Sequence, residues 1–197
     1  MNRAVFLDRD GTLIEEKEYL HRPEEVVIFP GVGPALQRLQ DAGFKLFVVT
    51  NQSGVGRGLL TLRDLEAIHA RLEGLLEQSD AALDAIYFCP HHPDDGCRCR
   101  KPATGMVDRA VSELQADLRR AYVVGDHAND IQLAKAVGVK SILVTSGQVD
   151  QQALTMLRAV GAIPDMVVQS MAEAAEWILA DAAAQAAQCK SVSTSER

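Results

Sequence analysis

The run Val5-Phe6-Leu7-Asp8-Arg9-Asp10-Gly11 ends an apolar stretch in two carboxylates one residue apart. Along a strand, residues i and i+2 point the same way, so if strand geometry persists through Arg9 both carboxylates converge just beyond the strand's carboxyl end. Like charges that close call for a cation between them, and Mg2+, which takes oxygen ligands, meets that need. A strand-ending turn with solvated aspartates is the plainer reading of the segment taken alone. A second acidic group, Gly125-Asp126-His127-Ala128-Asn129-Asp130, follows another apolar run. Asp126 sits at the strand end and Asp130 one helical turn later, so both can face one site. Asp130 is equally at home in the first turn of a helix, where the helix dipole favours an acid.

Two further segments carry groups suited to an anionic substrate. Thr50-Asn51-Gln52-Ser53-Gly54-Val55-Gly56 offers a hydroxyl, amides and free backbone N–H groups at a glycine-rich turn, which can cradle phosphate oxygens or can be a simple loop. Arg100-Lys101-Pro102 offers a guanidinium fork and a point charge, although adjacent basic residues are commonly just solvated surface. Between them, Cys89-Pro90-His91-His92-Pro93-Asp94-Asp95-Gly96-Cys97-Arg98-Cys99 holds three of the chain's four cysteines. Clustered Cys and His outside a disulfide context suggest a metal. Cys89, His91, Cys97 and Cys99 make one Cys3His set suited to structural Zn2+, with His92 as the competing ligand and free thiols as the remaining alternative.

These groups need a scaffold that brings strand ends together. Short, nearly continuous apolar runs predict strands over 4–7, 46–49, 85–88, 121–124, 141–144 and 166–168. Helical patterns fall over 32–42, 62–78, 105–114, 129–137, 151–160 and 171–187. Thr61 with Asp64 and Ser170 with Glu173 read as helix starts, and Gly43 and Gly138 as stops. Such alternation predicts an α/β domain with a doubly wound, Rossmann-like parallel sheet and ligands at the strands' carboxyl ends. Residues 1–187 are expected to form one domain, with 188–197 a disordered tail and segments 15–30 and 89–105 long functional loops. A chain of 197 residues, 47% hydrophobic and 24% charged, can bury a sizeable core. Its net charge of −7 argues against nucleic acid. No apolar run is long enough for a membrane span and no signal peptide precedes the first strand, so a cytoplasmic protein without membrane partners is expected, and a small domain with no evident apolar patch in its sequence is expected to be a monomer.

Taken in order, Asp8-Arg9-Asp10-Gly11-Thr12, the strand-end Thr50-Asn51, Lys101 and Gly125-Asp126-His127-Ala128-Asn129-Asp130 resemble the four motifs of the haloacid dehalogenase (HAD) superfamily. That resemblance implies a phosphatase with Asp8 as nucleophile and Asp10 as general acid and base. It implies one Mg2+ held by Asp8, the backbone carbonyl of Asp10 and Asp126, with Asp130 as a further ligand. Thr50 and Lys101 would stabilise the transferring phosphoryl group.

The cysteine loop running into Arg100-Lys101-Pro102 resembles that of the D-glycero-D-manno-heptose 1,7-bisphosphate phosphatases and the related histidinol-phosphatase domains, where a zinc loop stands in place of a large cap. In that family His91, not His92, is the zinc ligand. The resemblance makes Glu16, Lys17, Glu18, Tyr19, Asn51, Gln52 and Ser53 substrate contacts, and Arg100 the recognition residue for a second phosphate. His127 stands where some relatives carry Lys, and is a further candidate contact. The implied reaction removes the C7 phosphate of the heptose bisphosphate, a phosphorylated sugar, for nucleotide-heptose and lipopolysaccharide biosynthesis. Histidinol phosphate is the alternative substrate, and an inactive zinc-stabilised binding protein is the reading from another class.

Overall fold

The computed structural model describes residues 2–146, 155 and 157–194. Six strands, β1 (Asn2–Leu7), β2 (Lys45–Asn51), β3 (Ala85–Cys89), β4 (Ala116–Gly125), β5 (Lys140–Val144) and β6 (Met166–Val168), pair in parallel in the order β3-β2-β1-β4-β5-β6. Alternate residues of each strand enter opposite cores. Val5, Leu7, Leu46, Val48 and Val124 face one layer, whereas Ala4, Phe6, Phe47, Val49 and Val123 face the other. Burial on both faces is why the strands read as unbroken apolar runs.

The first layer is packed by α1 (Val32–Asp41), α3 (Leu62–Leu76) and α6 (Met171–Thr194); the second by α4 (Gly105–Leu114) and α5 (Ala128–Val137). The single-turn helix α2 (Ser53–Gly56) follows β2. In α3, Leu65, Ile68, Leu72 and Leu76 recur at helical spacing and are buried, and a Thr61–Asp64 capping box starts the helix as expected.

Two elements depart from the sequence pattern. Strand β4 begins at Ala116, not 121, because exposed Arg119 and Arg120 interrupt the apolar run while the backbone keeps pairing, with a register shift against β1 between Asn2 and Ala4. From 188, where a disordered tail is expected, α6 continues to Thr194: no Gly or Pro follows the alanine-rich turns before it to stop the helix. In the expected helix over 151–160, positions 151–154 and 156 lie outside the described residues.

The strand order runs outward in both directions from the β1–β4 pair. In such open sheets ligands bind in the crevice at that switch point, outside the carboxyl ends of the strands. Leu7 pairs with Val124, and the Asp8 N–H donates to the Val124 carbonyl at 2.8 Å. The chain therefore delivers Asp8 and Asp126 from adjacent strand ends into one crevice.

Candidate active site

Lys101 is 4% exposed, and its ammonium lies 2.7 Å from Asp8 Oδ1 and 2.6 Å from Asp130 Oδ1. Burial disfavours that charge, but Asp130 and Asp8 outweigh it and hold the group above its usual value. Oxygens of Asp8, Asp126 and Asp130 all lie within 4.8 Å of one another. Burial raises the Asp8 carboxyl well above the usual range against the pull of Lys101, and repulsion from Asp130, Asp126 and Asp10 adds to it. Burial and Asp130 likewise raise Asp126 to about 7. One ammonium cannot neutralise three carboxylates, and a hard divalent cation with oxygen ligands fits the donor set. The backbone is shaped around it. At Gly11, with φ of +74°, an added Cβ would stand 2.0 Å from Asp126 Oδ2, so only glycine lets the loop approach.

Asp10 takes another course. The strand ends at Leu7, so the alternation that would have aimed both aspartates at one point does not persist. The Asp10 carboxylate accepts from Arg9 Nε and Nη2 at 2.9–3.2 Å and from Gln52 Nε2 at 2.8 Å. Gln52 Nε2 also donates to Thr50 Oγ1 at 2.8 Å, and Gln52 Oε1 accepts from Arg9 Nη2 at 3.0 Å. Asn51 clamps the backbone of Lys101, its Nδ2 donating to the Lys101 carbonyl at 3.2 Å and its Oδ1 accepting from the Lys101 N–H at 2.9 Å. Behind this layer His69 of α3 packs against Phe88, with ring centroids 5.5 Å apart. Burial, and then the Arg9 charge, lower its imidazole to about 4, so it is neutral at pH 7.

The cysteine loop gathers as a tetrahedral donor set would. Cys89 Sγ lies 3.5 Å from Cys97 Sγ and 3.6 Å from His91 Nδ1; Cys99 Sγ lies 3.5 Å from Cys97 Sγ and 3.2 Å from His91 Nδ1. Burial pushes the Cys89 thiol up to about 12. At Cys97 burial is outweighed by the Arg100 N–H and the neighbouring sulfurs, which bring it down to about 7. His92 stands outside the set. Its Nδ1 accepts from the Asp94 N–H at 3.3 Å and its N–H donates to Asp95 Oδ2 at 2.9 Å, capping the turn Pro93–Asp95. The loop is wedged in place: a Cβ on Gly56 of α2 would lie 2.3 Å from the His92 nitrogen, and the Gly105 N–H at the start of α4 donates to the Arg98 carbonyl at 3.0 Å.

Two cavities share Asp10, Glu16 and Asn51 on their walls. One, of ≈460 Å3, opens onto Asp8, Thr50, Arg100, Lys101, Asp126 and His127. The other, of ≈280 Å3, is bounded by Lys17, Glu18, Tyr19, Gln52 and Ser53. Arg100 Nη1 is buried with no partner. His127 Nδ1 accepts from the Asn129 N–H at 3.4 Å, so the ring caps α5 at the cavity edge. The Lys17 ammonium donates to the Glu25 carbonyl at 2.6 Å.

Residues 98–174 match the HAD-hydrolase-like family model. The D-glycero-D-manno-heptose-1,7-bisphosphate 7-phosphatase of Thermosynechococcus vestitus is 41% identical, covering 89% of this chain and 94% of the relative. The chain belongs to this heptose-bisphosphate phosphatase family of HAD-like hydrolases. The family's D-glycero-beta-D-manno form from Escherichia coli K12 is 40% identical over 74% of this chain and 80% of its own. The crystal structure of D,D-heptose 1,7-bisphosphate phosphatase from B. bronchiseptica, complexed with magnesium and phosphate, superposes with a TM-score of 0.80 at 35% identity, covering 91% of this chain and 99% of that one.

The expected residues line the two cavities or stand beside them, and several are engaged by the protein: Asp10 leaves the carboxylate cluster for Arg9 and Gln52, Asn51 holds the Lys101 backbone, Gln52 meets Asp10, Thr50 and Arg9, and the Lys17 ammonium meets the Glu25 carbonyl. Arg9, which the sequence does not mark as a site residue, is buried and holds the Asp10 carboxylate with its guanidinium; that contact depends on the chain's turn after Leu7 and has no signal in the residue pattern.

Proposed function

We propose that this protein is a Mg2+-dependent phosphatase that removes the C7 phosphate of D-glycero-D-manno-heptose 1,7-bisphosphate and leaves heptose 1-phosphate. The observation that carries the reading is the buried Lys101–Asp8 pair on the wall of a cavity that Arg100 also lines. Asp8 attacks phosphorus in line, the bond to the C7 oxygen breaks, and an aspartyl-phosphate forms. Asp10 gives its proton to the departing alkoxide and then takes one from the water that hydrolyses the aspartyl-phosphate, returning Asp8 and releasing inorganic phosphate. Lys101 and the Thr50 hydroxyl meet the equatorial oxygens.

Asp8, Asp126 and the Asp10 carbonyl would hold Mg2+, which when bound offsets the repulsion between anionic nucleophile and anionic substrate. Asp130 is spent differently: Oδ1 accepts from Lys101 and Oδ2 from the His127 N–H. We read it as the residue that holds Lys101 in place. Cys89, His91, Cys97 and Cys99 would bind one structural Zn2+, whose position is passed to Arg100 and Lys101 through the peptide bonds after Cys99. The ≈280 Å3 cavity with Glu16, Glu18 and Tyr19 accommodates the sugar, and Arg100 meets the second phosphate.

Among the described residues, no helix is long and apolar enough to cross a membrane. The deciding experiment compares kcat/KM for the heptose bisphosphate and for histidinol phosphate, with and without Mg2+. We expect Mg2+-dependent turnover with the bisphosphate preferred. Preference for histidinol phosphate would overturn the substrate, and no turnover of either would overturn the enzyme.

A further inference from the structure

Resting on that reading and deepening it, we propose that Gln52 and the buried Arg9 are positioning residues: together they fix the proton-transferring carboxylate of Asp10 and aim the Thr50 hydroxyl, and the Gln52 side chain spends both its donors on the protein rather than on substrate. Arg9 is 1% exposed and Gln52 8%, so although both touch the ≈280 Å3 cavity, nearly all of each side chain is packed within the protein. Chemistry fixes which way the Gln52 amide faces. A guanidinium only donates and a carboxylate only accepts, so the amide oxygen must meet Arg9 Nη2 and the amide nitrogen must meet Asp10 Oδ2. The amide has two N–H groups, and the protein uses both, on Asp10 Oδ2 and on Thr50 Oγ1, each at 2.8 Å. No donor is left for a sugar hydroxyl or a phosphate.

The Thr50 contact has its own effect. Its oxygen accepts from Gln52, so its single hydrogen is free to point elsewhere, and Thr50 lines the cavity beside Asp8 and Lys101. There the hydroxyl donates to a phosphoryl oxygen. One amide thus couples the two jobs of the site, moving a proton at Asp10 and binding the transferring group at Thr50. Arg9 supports both from behind, with Nε and Nη2 on Asp10 and Nη2 on Gln52.

The test uses Gln52→Met, which removes both donors, and Gln52→Glu, which keeps an oxygen for Arg9 and secures the result should the Met variant fold poorly. Each is assayed by steady-state kinetics on the heptose bisphosphate, by rapid mixing with p-nitrophenyl phosphate, and by thermal unfolding. On the sugar, kcat should fall about 10- to 100-fold with KM within about twofold of wild type. On p-nitrophenyl phosphate the leaving group needs no proton, so the first step survives while the water-activating step slows. A burst of nitrophenolate, absent from wild type, should then appear as the aspartyl-phosphate accumulates.

A rise in KM with kcat retained would make Gln52 a substrate contact and overturn the proposal, as would folded variants with unchanged kinetics and no burst. Failure of the underlying reading looks different. If wild type hydrolyses p-nitrophenyl phosphate but not the heptose ester, the substrate is wrong and the burst still judges Gln52. If wild type hydrolyses neither, the phosphatase reading falls and takes the positioning role with it.

Discussion

Lowering the pH from 7 to 5 should unfold this protein more easily through one residue, His69. It is 7% exposed, its ring tilted against Phe88 and near the Arg9 charge, and its imidazole sits at about 4. In the unfolded chain a histidine titrates at about 6.5. Between those values the unfolded state binds a proton that the folded state refuses, so stability falls as pH drops through 6.5 toward 4. The two values give a loss of about 2 kcal/mol between pH 7 and pH 5. Asp126, raised to about 7 by burial and Asp130, has the opposite sign, because its folded form takes up the proton first and gains stability as pH falls. A single melting curve therefore mixes the two. Urea unfolding of wild type and His69→Leu at both pH values separates them, because every other group cancels in the difference. Wild type should lose about 2 kcal/mol relative to the variant, a relative midpoint shift of about 1 M urea for a slope near 2 kcal/mol/M. Parallel losses in the two proteins would refute a buried neutral His69.

Three other outcomes follow from the site. Asp8→Asn should keep the fold by circular dichroism yet lower kcat by about 10^4 or more, and trap no phosphoenzyme under acid quench. Arg100→Ala should raise KM for the bisphosphate about tenfold or more while leaving turnover of a simple phosphate monoester near wild type; equal losses on both would remove Arg100 from second-phosphate recognition. Metal analysis should return one zinc per chain, and Cys97→Ser should lose it and weaken substrate binding; full zinc content in the variant would break the assigned ligand set.

Much of this site is visible in the residues before any coordinates. Strands buried on both faces leave unbroken apolar runs, and Asp8, Thr50 and Asp126 each stand at the end of one. The zinc-type donor set is legible too, since close Cys and His spacings leave few other uses. What stays hidden is the direction of side chains in the loops. Nothing local in Asn51-Gln52 says that one amide clamps the Lys101 backbone and the other turns back to Asp10, because both partners come from elsewhere in the chain. The same holds for Lys101 and Arg100, two adjacent cations of which one is sealed between carboxylates and the other half-exposed. The helix through Thr194 was hidden for the opposite reason: its polar residues resemble a tail, and only the preceding alanine-rich turns carry the helix onward.

The pairing of β1 with β4 also governs when the protein can act at all. Lys101 meets Asp8 across a separation of 93 residues, while Asp126 arrives on the neighbouring strand end. Neither half of the chain holds a usable fragment of the site: the first carries a nucleophile without its cations, the second a lysine and a metal ligand with nothing to attack phosphorus. Activity is therefore an all-or-none report on whether the two halves of the sheet have joined, and a truncation that spares every motif but prevents that joining would silence the enzyme as completely as removing Asp8.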